Sequence, residues 1–249
     1  MVLRGSVYSN TLNMETGLSV ITPNDYGQTN RYRVCYVLHG LCGGNGDYSN
    51  YTMLPYFAYD KDILFLCPEV QRSFYTDTDY GMAYFSFITE ELPHLAKLVF
   101  NISAKREETA VVGGSMGGYG ALKCALTHPE IFGACAAFAP APLYLNEWLQ
   151  KGRESGETEF PDLYGIFGKQ LLSSDKDDLP SLLRAFSPDA PKPVLSITVG
   201  KDDPFLADCR RFRQELQSLA FPASYQEIDG GHDFYSFNAA LRQFIEEWK

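Results

Sequence analysis

The sequence has 249 residues, of which 45% are hydrophobic and 21% charged, and its formal net charge is −10. This length and composition predict a single globular domain with a large core. An acidic chain without a Lys/Arg-rich stripe repels phosphate backbones, so a nucleic-acid partner is not expected. Because no run of about 18 apolar residues is present, we expect neither a membrane span nor a membrane partner.

The six cysteines do not show the spacing of a metal site. None forms a C-x-x-C pair, and none has a histidine at zinc spacing. Cys35, Cys67 and Cys135 fall in apolar, strand-like runs, which is typical of small core residues in a reducing compartment. The N-terminal stretch Met-Val-Leu-Arg-Gly-Ser lacks the long apolar region of a signal peptide. We therefore expect a cytoplasmic protein.

Predicted strands and helices alternate along the chain. Apolar or β-branched runs predict strands at Leu18–Thr22, Arg33–Leu38, Ile63–Cys67, Thr109–Val112, Gly133–Phe138, Val194–Val199 and Tyr225–Ile228. Helical patterns are found at Tyr51–Tyr59, Tyr84–Phe100, Gly117–Leu126, Phe205–Leu219 and Tyr235–Trp248. This alternation predicts an α/β fold with a mostly parallel central sheet and helices on both faces.

Residues 143–191 break this rhythm, because they offer no clear strand between two predicted strands. A bare loop of this length is uncommon in a compact domain. We therefore predict a helical insertion over one edge of the sheet, with a helix at Leu179–Phe186, that caps an active site. The acidic runs 154–159 and 175–178 are predicted to be solvated loops, since they lack the glycine and terminal glutamate of calcium-binding loops.

The residues Gly-Gly-Ser-Met-Gly at 113–117 form a G-x-S-x-G motif between a β-branched strand and a small-residue helix. That context is typical of a nucleophile on a strained turn, where larger neighbours would clash. The helix that follows would aim free N–H groups at a developing oxyanion. The motif therefore predicts Ser115 as a nucleophile.

A serine hydroxyl needs a base that a third group orients. The chain offers an acid and then a histidine, each on a loop after a predicted strand. His232 lies on a glycine-flanked loop and is the predicted base. Asp203, three residues after Gly200, is the predicted acid, and Asp202 stays open as the alternative. One of the two acids is also expected to cap the helix that follows.

The other three histidines have different expected roles. His39 ends a predicted strand and is expected to shape the loop that completes an oxyanion hole. We assign this hole to the backbone N–H groups of Leu41 and Met116. His94 and His128 each neighbour a proline, and both are expected at the surface or at a helix end.

Several segments resemble the esterase D-like branch of the α/β-hydrolases, which includes tributyrin and acetyl esterases, feruloyl esterases and S-formylglutathione hydrolases. They are Tyr-Val-Leu-His-Gly at 36–40, Pro-Glu-Val-Gln-Arg-Ser-Phe-Tyr-Thr-Asp at 68–77, Glu-Glu-Leu-Pro at 90–93, Gly-Ser-Met-Gly-Gly-Tyr-Gly-Ala at 114–121 and Gly-Gly-His-Asp-Phe at 230–234. The resemblance implies an α/β-hydrolase fold with Ser115, Asp203 and His232 as the catalytic triad. The chain is shorter than typical S-formylglutathione hydrolases, which favours the compact esterases.

Together these features predict a serine carboxylesterase that works through an acyl-enzyme and needs neither a metal nor an organic cofactor. The expected substrates are short-chain acyl esters of acetyl or butyryl type, or hydroxycinnamoyl esters of feruloyl type. An S-formylglutathione-type thioester hydrolase is one alternative. A non-catalytic binding protein on a hydrolase fold is the other.

Aromatic residues are the candidates to line a substrate pocket. The stretch 74–87 is rich in aromatic side chains, and the predicted insertion adds Tyr144, Trp148, Phe160 and Phe167. Burial of the insertion against the sheet is the alternative role for these four. Phe234, two residues after the predicted base, is expected at the pocket rim. The oligomeric state is left open by the sequence, a homo-oligomer included.

Overall fold

The computed structural model describes residues 1–27 and 31–248. Its strands are β1 (Val2–Ser9), β2 (Met14–Ile21), β3 (Arg33–Leu38), β4 (Ile63–Pro68), β5 (Thr109–Gly114), β6 (Ala134–Phe138), β7 (Val194–Gly200) and β8 (Ala223–Ile228). Within the described residues these eight strands form one sheet in the order β1-β2-β4-β3-β5-β6-β7-β8. β2 runs antiparallel to β1 and β4, and every other neighbouring pair is parallel.

Helices lie in each connection from β3 to β8 and follow β8. They are α1 (Asp47–Tyr51), α2 (Leu54–Phe57), α3 (Tyr84–Ser86), α4 (Leu92–Val99), α5 (Met116–Thr127), α6 (Leu145–Ser155), α7 (Leu163–Phe167), α8 (Leu179–Ala185), α9 (Leu206–Ser218) and α10 (Phe234–Glu247). A π-helical turn, Phe87–Glu91, joins α3 to α4, so the predicted helix 84–100 is one helical stretch with a wider turn inside it. The predicted α/β fold with a mostly parallel sheet is confirmed.

The central strands carry the core. Every residue of β4 and β5 is buried, which explains why these strands appear in the sequence as continuous apolar runs. The edge strand β1 was not predicted, because most of its residues are exposed and it shows no apolar face to read. β1 is held by its antiparallel pairing with β2 rather than by burial of an apolar face of its own.

The predicted short helix at Tyr51–Tyr59 is confirmed in part: α2 lies inside this range, whereas Tyr51 is the last residue of α1. Thr52 separates them with an extended backbone, at φ −128° and ψ 171°. Pro55 lies in the first turn of α2, where its missing N–H costs no hydrogen bond. Proline therefore starts a new helix here instead of continuing the first one.

The segment 143–191 forms α6, α7 and α8 between β6 and β7, and α8 packs against α5 and α9. The prediction that 175–178 is a solvated loop is wrong for Asp177 and Asp178. The Asp177 carboxylate accepts from Lys123 Nζ at 2.5 Å, and the Lys123 side chain is only 1% exposed. Asp178 is buried and caps α8 by accepting from the amide of Ser181.

Replacement of Lys123 by methionine is expected to lower the free energy of unfolding at pH 7 by about 3 kcal/mol, because it leaves the largely buried Asp177 carboxylate unpaired. Burial acts to raise the pKa of Asp177, but Lys123 and Ser174 outweigh it and hold that pKa below its usual value. Such a carboxyl stabilises the fold above its unfolded pKa of about 3.9, and this contribution is lost as the pH falls through the folded value.

Urea unfolding at a series of pH values checks this prediction. The difference between wild type and Lys123→Met should narrow as the pH is lowered from 7 towards 3, because Asp177 becomes neutral in the variant first. The exposed Lys97, replaced by methionine, is the matched control and should leave the stability nearly unchanged. A difference that stays constant over this pH range would contradict the role given to the pair.

Candidate active site

Ser115 lies on the sharp turn between β5 and α5. Its backbone has φ 57° and ψ −124°, a conformation that side-chain-bearing residues rarely adopt and that costs free energy. Three backbone hydrogen bonds hold it: the Ser115 amide donates to Phe138 O at 2.9 Å, and Ser115 O accepts from the amides of Tyr119 and Ala141. The turn raises the Ser115 side chain into a cavity.

The glycines that flank Ser115 allow β5, α5 and the end of β3 to approach one another. A Cβ atom at Gly117 would lie 2.1 Å from Leu38 O, and one at Gly113 would lie 2.5 Å from the Gly117 carbonyl carbon. Both distances are far inside van der Waals contact, and the atoms met are backbone. The spacing of the motif is therefore explained by packing at the turn.

Gly117→Ala is expected to lower the free energy of unfolding by about 3 kcal/mol, since the backbone of β3 cannot move away without breaking the sheet. Gly5→Ala is the matched control, because a Cβ atom at Gly5 meets nothing within 4 Å. Urea unfolding of both variants measures the difference. Equal stabilities would show that the turn relaxes easily and that the close approach is not required.

His232 and Asp203 extend from Ser115 in a chain of hydrogen bonds. The His232 Nε2 atom lies 2.9 Å from Ser115 Oγ, and Nδ1 lies 2.8 Å from Asp203 Oδ2. The Asp203 side chain is fully buried, and its Oδ1 atom accepts from the amide of Phe205 at 2.8 Å. Asp202, the alternative acid, is exposed and makes no hydrogen bond to His232 among the described residues. One carboxylate thus both faces His232 and holds the turn before α9.

The imidazole of His232 is fixed on its other sides by aromatic rings. Phe205 and Phe237 contact it edge-on, with ring centroids 5.1 and 5.3 Å away. Because Asp203 is a carboxylate and accepts at Nδ1, the proton of neutral His232 lies on Nδ1 and leaves Nε2 free to accept from Ser115. The next residue, Asp233, caps α10 by accepting from the amide of Ser236 at 2.9 Å.

The predicted oxyanion-hole residues, Leu41 and Met116, line the same cavity as Ser115. Met116 is the first residue of α5, and neither amide donates to a backbone carbonyl among the described residues. The loop that carries Leu41 is shaped by the buried His39, whose Nδ1 donates to Gly40 O at 2.8 Å. Two free amides that line the same cavity as the Ser115 hydroxyl can stabilise negative charge on an oxygen.

Glu69, which was not predicted as a site residue, stabilises the loop that carries Leu41. Its carboxylate accepts from the amides of Asn45 at 3.1 Å and Gln71 at 2.8 Å, and it lies 3.2 Å from His39 Nε2. A second support is the Tyr75 hydroxyl, which donates to the His39 carbonyl oxygen. The sequence places both residues in the 68–77 stretch, but their contacts arise only on folding.

The cavity at Ser115 has a volume of about 520 Å³. Four aromatic side chains that the sequence offered as pocket residues line it: Tyr144, Trp148, Phe160 and Phe234. Phe167 does not line it, and of the two roles left open for this residue the structure supports burial. Its ring packs on Phe74, with centroids 6.2 Å apart, so it packs the insertion against the 68–77 stretch.

Other wall residues were not predicted individually, because they come from elements far apart in the sequence. The aromatic ones are Tyr48, Phe74, Phe205 and Phe237, and the charged ones are Glu147, Lys151, Glu159, Asp208 and Asp233. Glu147 pairs with both terminal nitrogens of Arg211, and this pairing holds the pKa of Glu147 below its usual value. The walls therefore combine aromatic side chains with charged groups, of which Glu147 and Lys151 lie on α6 and Asp208 on α9.

Across residues 1–27 and 31–248, no group of three or more His, Cys, Asp or Glu side chains is placed to hold a metal ion. All six cysteines are free thiols, and Cys42 is the exposed one. In the described part of the chain, no helix combines the length and the apolar character needed to cross a membrane.

Comparisons with known proteins give consistent relatives. A family model described as a putative esterase matches residues 9–247. An acetyl esterase from Caldicellulosiruptor saccharolyticus is 25% identical over 98% of this chain and 97% of its own. An S-formylglutathione hydrolase from Rattus norvegicus is 34% identical, over 53% of this chain and 42% of its own. A solved structure of FphF, a fluorophosphonate-binding serine hydrolase from Staphylococcus aureus, has a TM-score of 0.88 at 26% identity and covers 100% of this chain and 98% of its own.

Proposed function

The chain belongs to the putative esterase family and is a carboxylic ester hydrolase; we propose that Ser115, His232 and Asp203 are its catalytic triad. The observation that carries this proposal is the unbroken hydrogen-bonded chain from Asp203 through His232 to Ser115 Oγ, which ends in a cavity of about 520 Å³. Membership of a family of hydrolases does not support the alternative of a non-catalytic binding protein.

In the proposed acylation step, Ser115 Oγ attacks the carbonyl carbon of the ester while His232 Nε2 takes the hydroxyl proton. The carbonyl electron pair moves onto oxygen, which accepts hydrogen bonds from the amides of Leu41 and Met116. Asp203 holds the imidazole through Nδ1–H and stabilises its protonated form. The carbon–oxygen bond to the alcohol then breaks, and His232 returns the proton to the leaving alkoxide.

In the proposed deacylation step, water replaces the alcohol. His232 Nε2 takes a proton from this water as it attacks the acyl carbon, and a second oxyanion forms at the same two amides. The bond to Ser115 Oγ breaks, the serine recovers its proton from His232, and the acid leaves. Within each step His232 passes on the proton that it takes, to the alkoxide in acylation and to Ser115 Oγ in deacylation. Neither a metal nor an organic cofactor is therefore required.

For the substrate, we propose esters of short acyl groups, acetyl or butyryl, or of hydroxycinnamoyl acids. The similarity to an acetyl esterase over nearly the whole of both chains supports the short acyl groups. A cavity of about 520 Å³ with aromatic walls also has room for a phenolic ring. We further propose that the segment 143–191 acts as the cap of this cavity, since Tyr144, Trp148 and Phe160 belong to it.

A thioester hydrolase of the S-formylglutathione type is a second candidate. Its support is the 34% identity to such an enzyme, which extends over 53% of this chain. The same triad would serve a thioester, with a thiol in place of the alcohol as leaving group. Direct comparison of kcat/KM for S-formylglutathione with that for p-nitrophenyl acetate separates the two candidates.

Labelling with a fluorophosphonate tests the proposed nucleophile. The folded protein is expected to form one adduct, on Ser115, because the attack on phosphorus uses the same base and oxyanion hole as the attack on an ester. Mass spectrometry of the digested adduct identifies the residue. The Asp203→Asn variant is expected to label more slowly, and the absence of an adduct on Ser115 would overturn the proposal.

A panel of p-nitrophenyl esters from two to twelve carbons, together with methyl ferulate, tests the substrate class. Turnover is expected to be highest for acyl groups of two to four carbons. Turnover of methyl ferulate independently tests the proposal of hydroxycinnamoyl substrates. An optimum at eight carbons or above would contradict the short-chain proposal without touching the triad. The readout is kcat/KM for each ester.

A further inference from the structure

A second cleft lies directly behind one wall of the catalytic cavity. Its volume is about 310 Å³, and it lies between the C-terminal half of α6 and the chain at 157–163. Trp148, Lys151 and Glu159 line both the cleft and the catalytic cavity. The two spaces are therefore separated by a single layer of side chains.

The floor and the mouth of this cleft differ in chemistry. Three leucines form the floor, Leu149, Leu163 and Leu171, and each is at most 2% exposed. The mouth carries polar side chains, among them Ser155 and Glu157, both exposed. An apolar chain that enters the cleft would remove its own surface from water against the leucines. The polar mouth would meanwhile stay hydrated.

Trp148 and Gly152 explain why the cleft exists. They lie four residues apart on α6 and so share one helix face. Trp148 faces both spaces, and its ring packs on Phe74 and Phe160 with centroids 5.5 and 6.3 Å away. Gly152 lines only the cleft, where a Cβ atom would meet other atoms no closer than 3.4 Å. The missing side chain at Gly152 therefore leaves open the space behind the indole.

We propose that this cleft is an extension of the substrate site, which takes the distal end of an unbranched apolar chain, and that Trp148 sets how far the chain reaches. The proposal rests on the proposed esterase mechanism at Ser115. The chain belongs either to the acyl group or to the alcohol of the ester, since both extend from the same carbonyl carbon. A long chain displaces the indole and lies against the leucine floor.

The test compares long and short substrates in variants of the partition and of the cleft. The readout is the ratio of kcat/KM for p-nitrophenyl decanoate to that for p-nitrophenyl acetate. Trp148→Ala is expected to raise this ratio at least about tenfold, because it opens the wall to several methylene groups. Trp148→Phe keeps an aromatic partition and should change the ratio much less.

Gly152→Leu fills the cleft from behind and is expected to lower the same ratio in the protein with native Trp148. In the double variant, Trp148→Ala with Gly152→Leu, most of the increase in the decanoate-to-acetate ratio should disappear. A parallel series of alkyl acetates, from ethyl to octyl, shows which part of the ester enters the cleft. A response in the p-nitrophenyl series alone assigns the acyl chain, and a response in the acetate series alone assigns the alcohol.

If Trp148→Ala and Gly152→Leu change neither the decanoate-to-acetate ratio of the p-nitrophenyl esters nor the octyl-to-ethyl ratio of the alkyl acetates, this proposal is overturned. If Trp148→Ala does not fold, Gly152→Leu alone decides, because a Cβ atom at Gly152 would make only ordinary van der Waals contacts, at 3.4 Å, and leucine favours a helix more than glycine does. Failure of the esterase mechanism is distinguishable, since wild type would then lack Ser115-dependent turnover of acetate itself. The cleft could in that case not act as part of an ester site.

Discussion

Replacement of Ser115 by alanine is expected to lower kcat/KM for p-nitrophenyl acetate by roughly 10⁶-fold, to the level set by binding and the oxyanion hole alone. The reason lies in the geometry: the only hydroxyl within hydrogen-bond distance of His232 Nε2 among the described residues is that of Ser115. Without it, His232 has no nucleophile to deprotonate except water. Initial rates corrected for buffer hydrolysis provide the measurement.

The stability of Ser115→Ala shows whether a loss of activity comes from the missing hydroxyl or from unfolding. Alanine at 115 keeps the strained backbone with φ 57°, so its free energy of unfolding should stay close to that of wild type. Ser115→Gly removes the strain and should be more stable than Ser115→Ala by about 1 kcal/mol, while being equally inactive. Ser224→Ala, which removes an exposed hydroxyl on β8, should keep full activity. Substantial esterase activity in Ser115→Ala would place the nucleophile elsewhere.

The geometry around Ser115 was accessible from the sequence because local rules and chain order act together there. The turn at 113–117 needs glycine on both sides for steric reasons, and the structure shows those contacts at Gly113 and Gly117. Strands that run parallel bring their following loops to one edge of the sheet. Loops that carry Asp203 and His232 follow β7 and β8, so a spacing argument alone placed both side chains near Ser115.

The parts that the sequence did not predict depend on contacts between distant segments. Asp177 looks like one more acid in a hydrophilic run, and only the approach of α5 reveals its buried partner Lys123. Phe167 and Trp148 are both aromatic, yet Trp148 lines the cavity, whereas Phe167 packs on Phe74 and does not line it. Composition cannot separate such cases, because the outcome depends on which way each short helix of 143–191 faces. The second cleft likewise depends on Gly152, which the sequence shows only as one of several glycines in the insertion.

The choice between the two neighbouring acids leads to the second large effect. Asp203→Asn is expected to lower kcat by about 10⁴-fold, because an amide can donate to Nδ1 and so favours the wrong tautomer of His232. Asparagine has nearly the shape of aspartate. Its Oδ1 atom can still accept from the Phe205 amide, which in wild type lies 2.8 Å from Asp203 Oδ1. The loss should therefore appear in kcat without unfolding of the protein.

Asp202→Asn is the matched control, since it makes the same replacement of a carboxylate oxygen by an NH2 group at the adjacent, exposed residue. Its backbone amide, which donates to Gly230 O at 3.0 Å, is not altered by the substitution. Full kcat in Asp202→Asn, together with the loss in Asp203→Asn, would assign the orienting role to the buried carboxylate. The reverse result would mean that the loop before α9 rearranges during catalysis and presents Asp202 to His232. Equal small losses in both variants would instead show that His232 is oriented mainly by its contacts with Phe205 and Phe237.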